Sequence, residues 1–330
     1  MVLSAWILSP WLLVGCPPAA IDPCANGNIC TVMGTGQMGY NGGGNDALDT
    51  WLYLPTTVEI APDGAVLVVD FNNNVLRELR DGLAVTVAGN GFHEYAIPGA
   101  NALASPLENP IDARYGPDGM LYILSPHESR LIRVDDAGII EVVAGTGDEG
   151  YTGDGGDALL ATFGQPCGFD IDTEGAIWIA DTLNGSLRRV APGGGVSTVL
   201  TGLGLPQRVR VQDGGVYVTD TVAGTIVYYD PERGTSDTVV DGLSTPWGFE
   251  IGPGGQFYVA DSGASQVVRV DSDTREIIAG TGEAGFSGDE GPATEAQLAW
   301  PSDVAFGPDG ELYISDMQNA RVRRVLGVGP

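Results

Sequence analysis

The chain has 330 residues, 50 glycines, 21 prolines and a net charge of −28, and all 15 of its basic residues are arginine. That charge excludes nucleic acid as a partner, because binding phosphates needs a cationic footprint. The length suits one large domain with a well-buried core rather than a small stapled scaffold.

Residues 1–16 form an apolar stretch too short to span a bilayer, ending in Leu13-Val-Gly-Cys16. This ending resembles a bacterial lipobox, whose cysteine is acylated and becomes the mature N-terminus. The resemblance implies a signal peptide over 1–15, a lipid anchor on Cys16, a linker over 16–28 and residence in the bacterial cell envelope. The n-region carries no Lys or Arg, so plain secretion and a cytoplasmic protein stay open as alternatives. Cys24 and Cys30 bracket a five-residue loop and could pair in an oxidising compartment.

From residue 29 onward the chain repeats. Six segments start with proline: Pro55-Thr-Thr-Val, Pro110-Ile-Asp-Ala, Pro166-Cys-Gly-Phe, Pro206-Gln-Arg-Val, Pro246-Trp-Gly-Phe and Pro301-Ser-Asp-Val. The prolines lie 55, 56, 40, 40 and 55 residues apart, a period near 40 with an insert of nearly constant size. Each proline opens a short strand, and four of the six strands run into turns such as Gly116-Pro-Asp-Gly119 and Gly307-Pro-Asp-Gly310. Proline presets one turn dihedral there and glycine supplies a positive φ. An apolar second strand follows (Leu121-Tyr-Ile-Leu, Ile177-Trp-Ile-Ala, Phe257-Tyr-Val-Ala), usually ending in Asp. Third and fourth strands complete the unit, as in Leu187-Arg-Arg-Val and Ser197-Thr-Val-Leu. Four short strands per repeat predict a four-stranded antiparallel blade.

The pattern resembles the NHL-repeat family over about residues 30–325. That resemblance implies an all-β, six-bladed propeller occupying residues 29–330. The last repeat stops after Arg321-Val-Arg-Arg-Val325 without a fourth strand, while Ile29-Cys-Thr-Val-Met33 resembles one. We expect residues 29–33 to complete blade six and close the ring.

Four junctions carry a 21-residue linker, from Gly34, Gly89, Gly145 and Gly280 to the next proline. Each keeps an aromatic (Tyr40, Tyr95, Tyr151, Phe286), an alanine (Ala47, Ala102, Ala158, Ala293) and an apolar anchor (Leu52, Leu107, Phe163, Leu298). These should pin the linker to the rim and raise a wall along one arc of one face. Three linkers match G-x-G-x-x-G, but a nucleotide reading needs a βαβ unit that an all-β ring lacks. Clustered oxygens suggest calcium or another divalent cation at Asp154, Asp157, Asp289 and Glu290, although turn-forming aspartate is the simpler account.

The inner strands bring polar residues to the axis. One layer is Thr57, Asp112, Gly168, Arg208, Gly248 and Asp303; the next is Glu59, Arg114, Asp170, Arg210, Glu250 and Ala305. Salt bridges closing a channel are the structural reading. A polar pocket using Glu59, Asp112, Arg114, Asp170, Arg208, Arg210, Glu250 and Asp303 is the functional one. The aspartates ending the second strands read as turn formers, and Cys167 as a buried thiol without a partner. Ser125 and His127 break the repeat, and His93 in the adjacent linker could share their face.

No catalytic set is evident. The reading is a monomeric, envelope-anchored or secreted binding module for a protein, peptide or glycan, touching membrane only through a lipid anchor. Similarity to gluconolactonase/SMP-30-type propellers implies the alternative, a metal-dependent hydrolase or lyase with channel carboxylates.

Overall fold

The computed structural model describes Cys24, residues 27–272 and residues 274–328. The signal peptide and the Cys16 anchor lie outside the described residues. Six antiparallel sheets follow one another around a ring. Blade 1 runs Pro55–Ile60, Val66–Asp70, Val75–Arg80 and Leu83–Ala88 from axis to rim, and blades 2 to 5 repeat that order. Inner strands therefore start at proline on one face and end at the Pro-Asp-Gly turns on the other.

Blade 6 is built from both ends of the described chain. Its inner three strands are Pro301–Phe306, Leu312–Asp316 and Arg321–Val325, and its rim strand is Asn28–Met33. Ile29 lies opposite Val325 and Thr31 opposite Arg323. Ile29 is fully buried, so this strand seals a core as well as an edge that would otherwise invite pairing with another chain. Cys24 is bonded to Cys30, the third residue of the strand.

Second strands are apolar without alternation because both faces of a blade press on a neighbour. Val66–Asp70, Leu121–Ser125, Ile177–Asp181 and Leu312–Asp316 are buried at every position. The core is accordingly six separate clusters, one at each blade junction. At the 2–3 junction, Leu124, Leu131 and Ala144 meet Phe169, Ile179 and Val196.

The four linkers are wedges in these junctions. Ala47 and Leu52 sit in the 6–1 cluster, Ala102 and Leu107 in the 1–2, Ala158 and Phe163 in the 2–3, and Ala293 and Leu298 in the 5–6. Each linker then runs along the rim strand of the following blade. Asn45–Asp46 pair with Leu83–Ala88, and Gly291–Pro292 with Asn28–Met33. The linkers thus thicken the rim instead of walling the axis. One 3₁₀ turn forms in three of them, at Ala47–Asp49, Ala158–Leu160 and Ala293–Glu295.

A charged clamp holds three of these wedges. Asp70, Asp181 and Asp316 end the second strands, and Arg77, Arg188 and Arg323 pair with them at 2.8, 3.0 and 3.3 Å inside the protein. Asn73, Asn184 and Asn319 donate to the same carboxylates and to linker carbonyls of Gly39, Gly150 and Gly285. The linker aromatics, half-exposed, lie over the guanidinium carbons: Tyr40 at 5.3 Å, Tyr151 at 5.1 Å, Phe286 at 5.0 Å. Blades 4 and 5 follow plain junctions and keep Asp220 and Asp261, but have Ala223 and Ala264 for the Asn and Val227 and Val268 for the Arg. The recurring aspartate is therefore not chiefly a local turn former. It accepts the backbone N–H of Tyr53, Gly164, Gly204, Ser244 or Ala299, just before the inner strand of its own blade.

The glycine that opens each G-x-G sequence is required by contact. A Cβ on Gly34, Gly89, Gly145 or Gly280 would stand 2.2–2.4 Å from a backbone carbonyl of the neighbouring strand turn. These glycines let chain pass over chain, and no phosphate is needed to explain them.

Two changes test the closure. Deleting residues 29–36 should remove cooperative melting or lower the midpoint by more than ten degrees, and Ile29→Ala should cost about 2–5 kcal/mol in urea titration. Unchanged melting after the deletion would mean that the ring closes some other way.

Candidate binding site on the propeller axis

Side chains of the inner strands alternate between blade junction and axis. Val58, Phe169, Val209, Phe249 and Val304 pack into junctions and are fully buried. Their neighbours face the centre, and all eight polar residues expected there are found together. Arg208 of blade 4 reaches across the axis. It ion-pairs at very short range with Asp112 of blade 2 and Asp303 of blade 6, and donates to Thr57 Oγ1 of blade 1 at 3.0 Å. Gly168 and Gly248 leave room in this layer; a Cβ on Gly248 would lie 2.2 Å from Asp303 Oδ1.

In the layer toward the Pro-Asp-Gly turns, Arg114 lies 3.2 Å from Glu59 and 3.8 Å from Asp170, and Arg210 lies 3.2 Å from Glu250. The carboxylates also stitch blades through the backbone. Asp303 accepts from Val58 N–H, Asp112 from Phe169 N–H and Asp170 from Val211 N–H, each in the next blade.

Removal from water dominates the acidity of this cluster. Burial pushes Asp303 from 3.8 up to about 8, against the pull of Arg208. Burial likewise raises Glu59 to about 7 and Asp170 to about 6, each opposed by Arg114, and it raises Glu250.

A divalent cation in this layer would have to displace guanidinium groups already held between the carboxylates, so the lactonase-type metal cage does not fit. Calcium in the linkers fits no better. Asp154 is 2.9 Å from Arg188, and Asp289 is 2.7 Å from Arg323 while accepting from the Thr31 N–H and hydroxyl. Asp157 caps its 3₁₀ turn by accepting from Leu159 N–H. The arginine clamp supplies the positive charge that calcium was expected to bring. Burial pushes the Cys167 thiol to about 11, so it stays protonated at neutral pH.

Space opens at the Pro-Asp-Gly end of the axis. A cavity of about 660 Å³ is lined by Glu59, Glu250, Ile60, Ile251, Phe306 and Pro308, among others. Blade 6 contributes Ala305 where the other five blades place a charged side chain, and the cavity fills that gap. This face is opposite the one that the linker arc suggested. The clue was in the sequence, as the one short side chain in an otherwise charged layer.

Fold and site together define a six-bladed NHL-type propeller with an ion-paired axis. A family model of the Teneurin NHL domain matches residues 27–220, and the chain belongs to that family. Mouse Teneurin-1 is 25% identical over 90% of this chain, which spans only 13% of the length of that relative. An auxiliary nutrient binding protein from Bacteroides thetaiotaomicron superposes with a TM-score of 0.67 at 13% identity, over 90% of this chain and 75% of that one. Virginiamycin B lyase from Staphylococcus aureus gives 0.55 at 14% identity, over 81% and 78%. At these identities the structural likenesses establish the fold alone.

The raised carboxyls set the direction of pH dependence. Where the folded-state value lies above the unfolded one, the native state binds more protons and stability falls as pH rises between the two values. For Asp303 that window runs from 3.8 to about 8, with a slope on the order of 1 kcal/mol per pH unit at most. Unfolding free energy should fall from pH 5 to 8.5. Asp303→Asn, which mimics the protonated acid, should match the wild type at pH 5 and exceed it at pH 8.5. Equal destabilisation at both values would count against a raised Asp303.

Proposed function

We propose that this propeller is a binding module that takes its ligand at the Pro-Asp-Gly mouth of the axis. The observation carrying this reading is the cavity beside Ala305, lined by the carboxyls of Glu59, Glu250 and Asp309 and by apolar side chains. Glu59 and Glu250 raise each other's cost of ionisation, and a cation brought between them relieves that cost. The overall charge of −28 draws cations toward the surface. The ligand chemistry that fits is a basic group next to an apolar one, as in an Arg- or Lys-containing peptide or an exposed loop of a partner protein. A glycan would add no cation to the Glu59 and Glu250 carboxyls beyond Arg114 and Arg210.

The nutrient-binding propeller among the similar structures supports a binding role on this scaffold. Placement in a bacterial envelope, through an acylated Cys16 or by secretion, and action as a monomer complete the proposal; both rest on the sequence reading of residues 1–16 and on the closed ring. The lyase-type neighbour favours no second reading, because the axial guanidiniums stand where channel carboxylates would gather a metal.

An array of short peptides tests the site. Sequences pairing Arg or Lys with an aromatic or branched residue should bind, more tightly at pH 8 than at pH 5.5 because Glu59, raised to about 7, ionises over that interval. Ala305→Arg, which fills the cavity with a tethered guanidinium, should weaken those peptides about tenfold or more with the fold intact. Binding that ignores both the substitution and the pH would place the ligand elsewhere.

A further inference from the structure

The chain has two histidines, and the fold brings them together. His93 lies in the linker that leads into blade 2, and His127 lies in the turn between the second and third strands of that blade. Glu108 and Asn109, just before the inner strand of blade 2, sit between them. His93 Nε2 is 3.0 Å from Glu108 Oε1 and 2.5 Å from Asn109 Oδ1. His127 Nδ1 is 4.0 Å from the same Glu108 oxygen and 3.1 Å from the same Asn109 oxygen. The two imidazole nitrogens and the Glu108 oxygen all lie within 4.8 Å of one another.

From these contacts we infer that His93, His127 and Glu108 form a Zn²⁺ site at the junction of blades 1 and 2, with the Asn109 carboxamide oxygen as an additional donor. Protein donors about 2.0–2.1 Å from a tetrahedral Zn²⁺ stand about 3.3 Å from each other. The four histidine-to-oxygen separations, 2.5–4.0 Å, bracket that value, and the two ring nitrogens lie within 4.8 Å of each other. Two imidazoles with one carboxylate select a borderline divalent metal over calcium or magnesium.

The surrounding structure holds the donors in place. The Asn109 amide nitrogen donates to Asn72 Oδ1 at 3.1 Å and to the Phe71 carbonyl at 3.4 Å, which turns its oxygen toward the histidines. Its N–H donates to Asn74 Oδ1. The His127 ring meets Phe71 edge to face at 6.4 Å. Glu108 is largely buried, whereas both imidazoles remain solvent-accessible, so an ion can enter and a water can complete its coordination.

The repeat supplies an internal control. At the position of His93 the other linkers have Met38, Glu149 and Ala284. At that of Glu108 the other blades have Tyr53, Gly164, Gly204, Ser244 and Ala299. At that of His127 they have Asn72, Leu183, Val222, Gly263 and Gln318. The propeller therefore needs none of these donors to fold, yet blade 2 has all three. Blade 2 also moves its clamp: Ser125 replaces the aspartate, and Glu128 takes over by accepting from Ala96 N–H and pairing with Arg130 at 2.9 Å.

The site lies at the proline end of the blades, away from the cavity beside Ala305, so the two can be tested apart. Untagged protein is stripped with chelator and titrated with ZnCl₂ in the presence of excess Mg²⁺, which occupies nonspecific acidic sites. Wild type should take one Zn²⁺ per chain at pH 7.5. His93→Ala and His127→Ala should each weaken binding at least about tenfold, the double variant should abolish the stoichiometric site, and Glu108→Gln should weaken it. Because both histidines are exposed, metal-free melting of the histidine variants should match wild type, separating loss of ligand from loss of fold. Wild type that takes up no Zn²⁺, or a double histidine variant that retains stoichiometric Zn²⁺, would overturn the assignment.

Discussion

Arg208 is the interaction on which the centre of the molecule depends. One guanidinium from blade 4 crosses the axis to carboxylates of blades 2 and 6 and to a hydroxyl of blade 1, so four of six blades share a single positive charge. Removing charge from water is costly, and an ion pair returns that cost only with good geometry and further hydrogen bonds. Here the backbone amides of Val58 and Phe169 supply some of those bonds. The remaining deficit appears as acids that hold their protons near neutrality. A ring of blades has no single hydrophobic core, only six junctions, and directional polar contacts at the axis fix how those junctions meet.

The same solution recurs at the periphery. At three of the four junctions that a long linker enters, a buried Asp–Arg pair and an Asn amide hold it, and an aromatic lies over the guanidinium. Where no linker enters, the Asn and Arg are replaced by Ala and Val. The charge is thus placed where irregular backbone has carbonyls to satisfy. It also bears on why oxygen-rich linkers resemble cation sites in sequence: arginine lies against the carboxylates of Asp154 and Asp289.

Much of the architecture was legible in the sequence because repetition converts weak signals into strong ones. Six prolines, the Pro-Asp-Gly turns and the displaced strand at Ile29 set blade number, register and closure. The axial residues could be named because strand alternation has a fixed period of two. The function of Asp70, Asp181 and Asp316 was not legible, since their partners lie in a preceding linker that only the folded chain brings near. The cavity was missed for the opposite reason: its signal is the absence of a side chain, at Ala305. His93 and His127 are 34 positions apart, and spacing alone could not put Glu108 between them.

The central claim is that the axis is closed by shared buried charge. Denaturant unfolding of Arg208→Gln at neutral pH tests it most directly. The expected result is a loss of about 3–5 kcal/mol with an unchanged denaturant slope, as for breaking a buried ion pair. A loss below about 1 kcal/mol, the range of a solvated surface pair, would contradict the account.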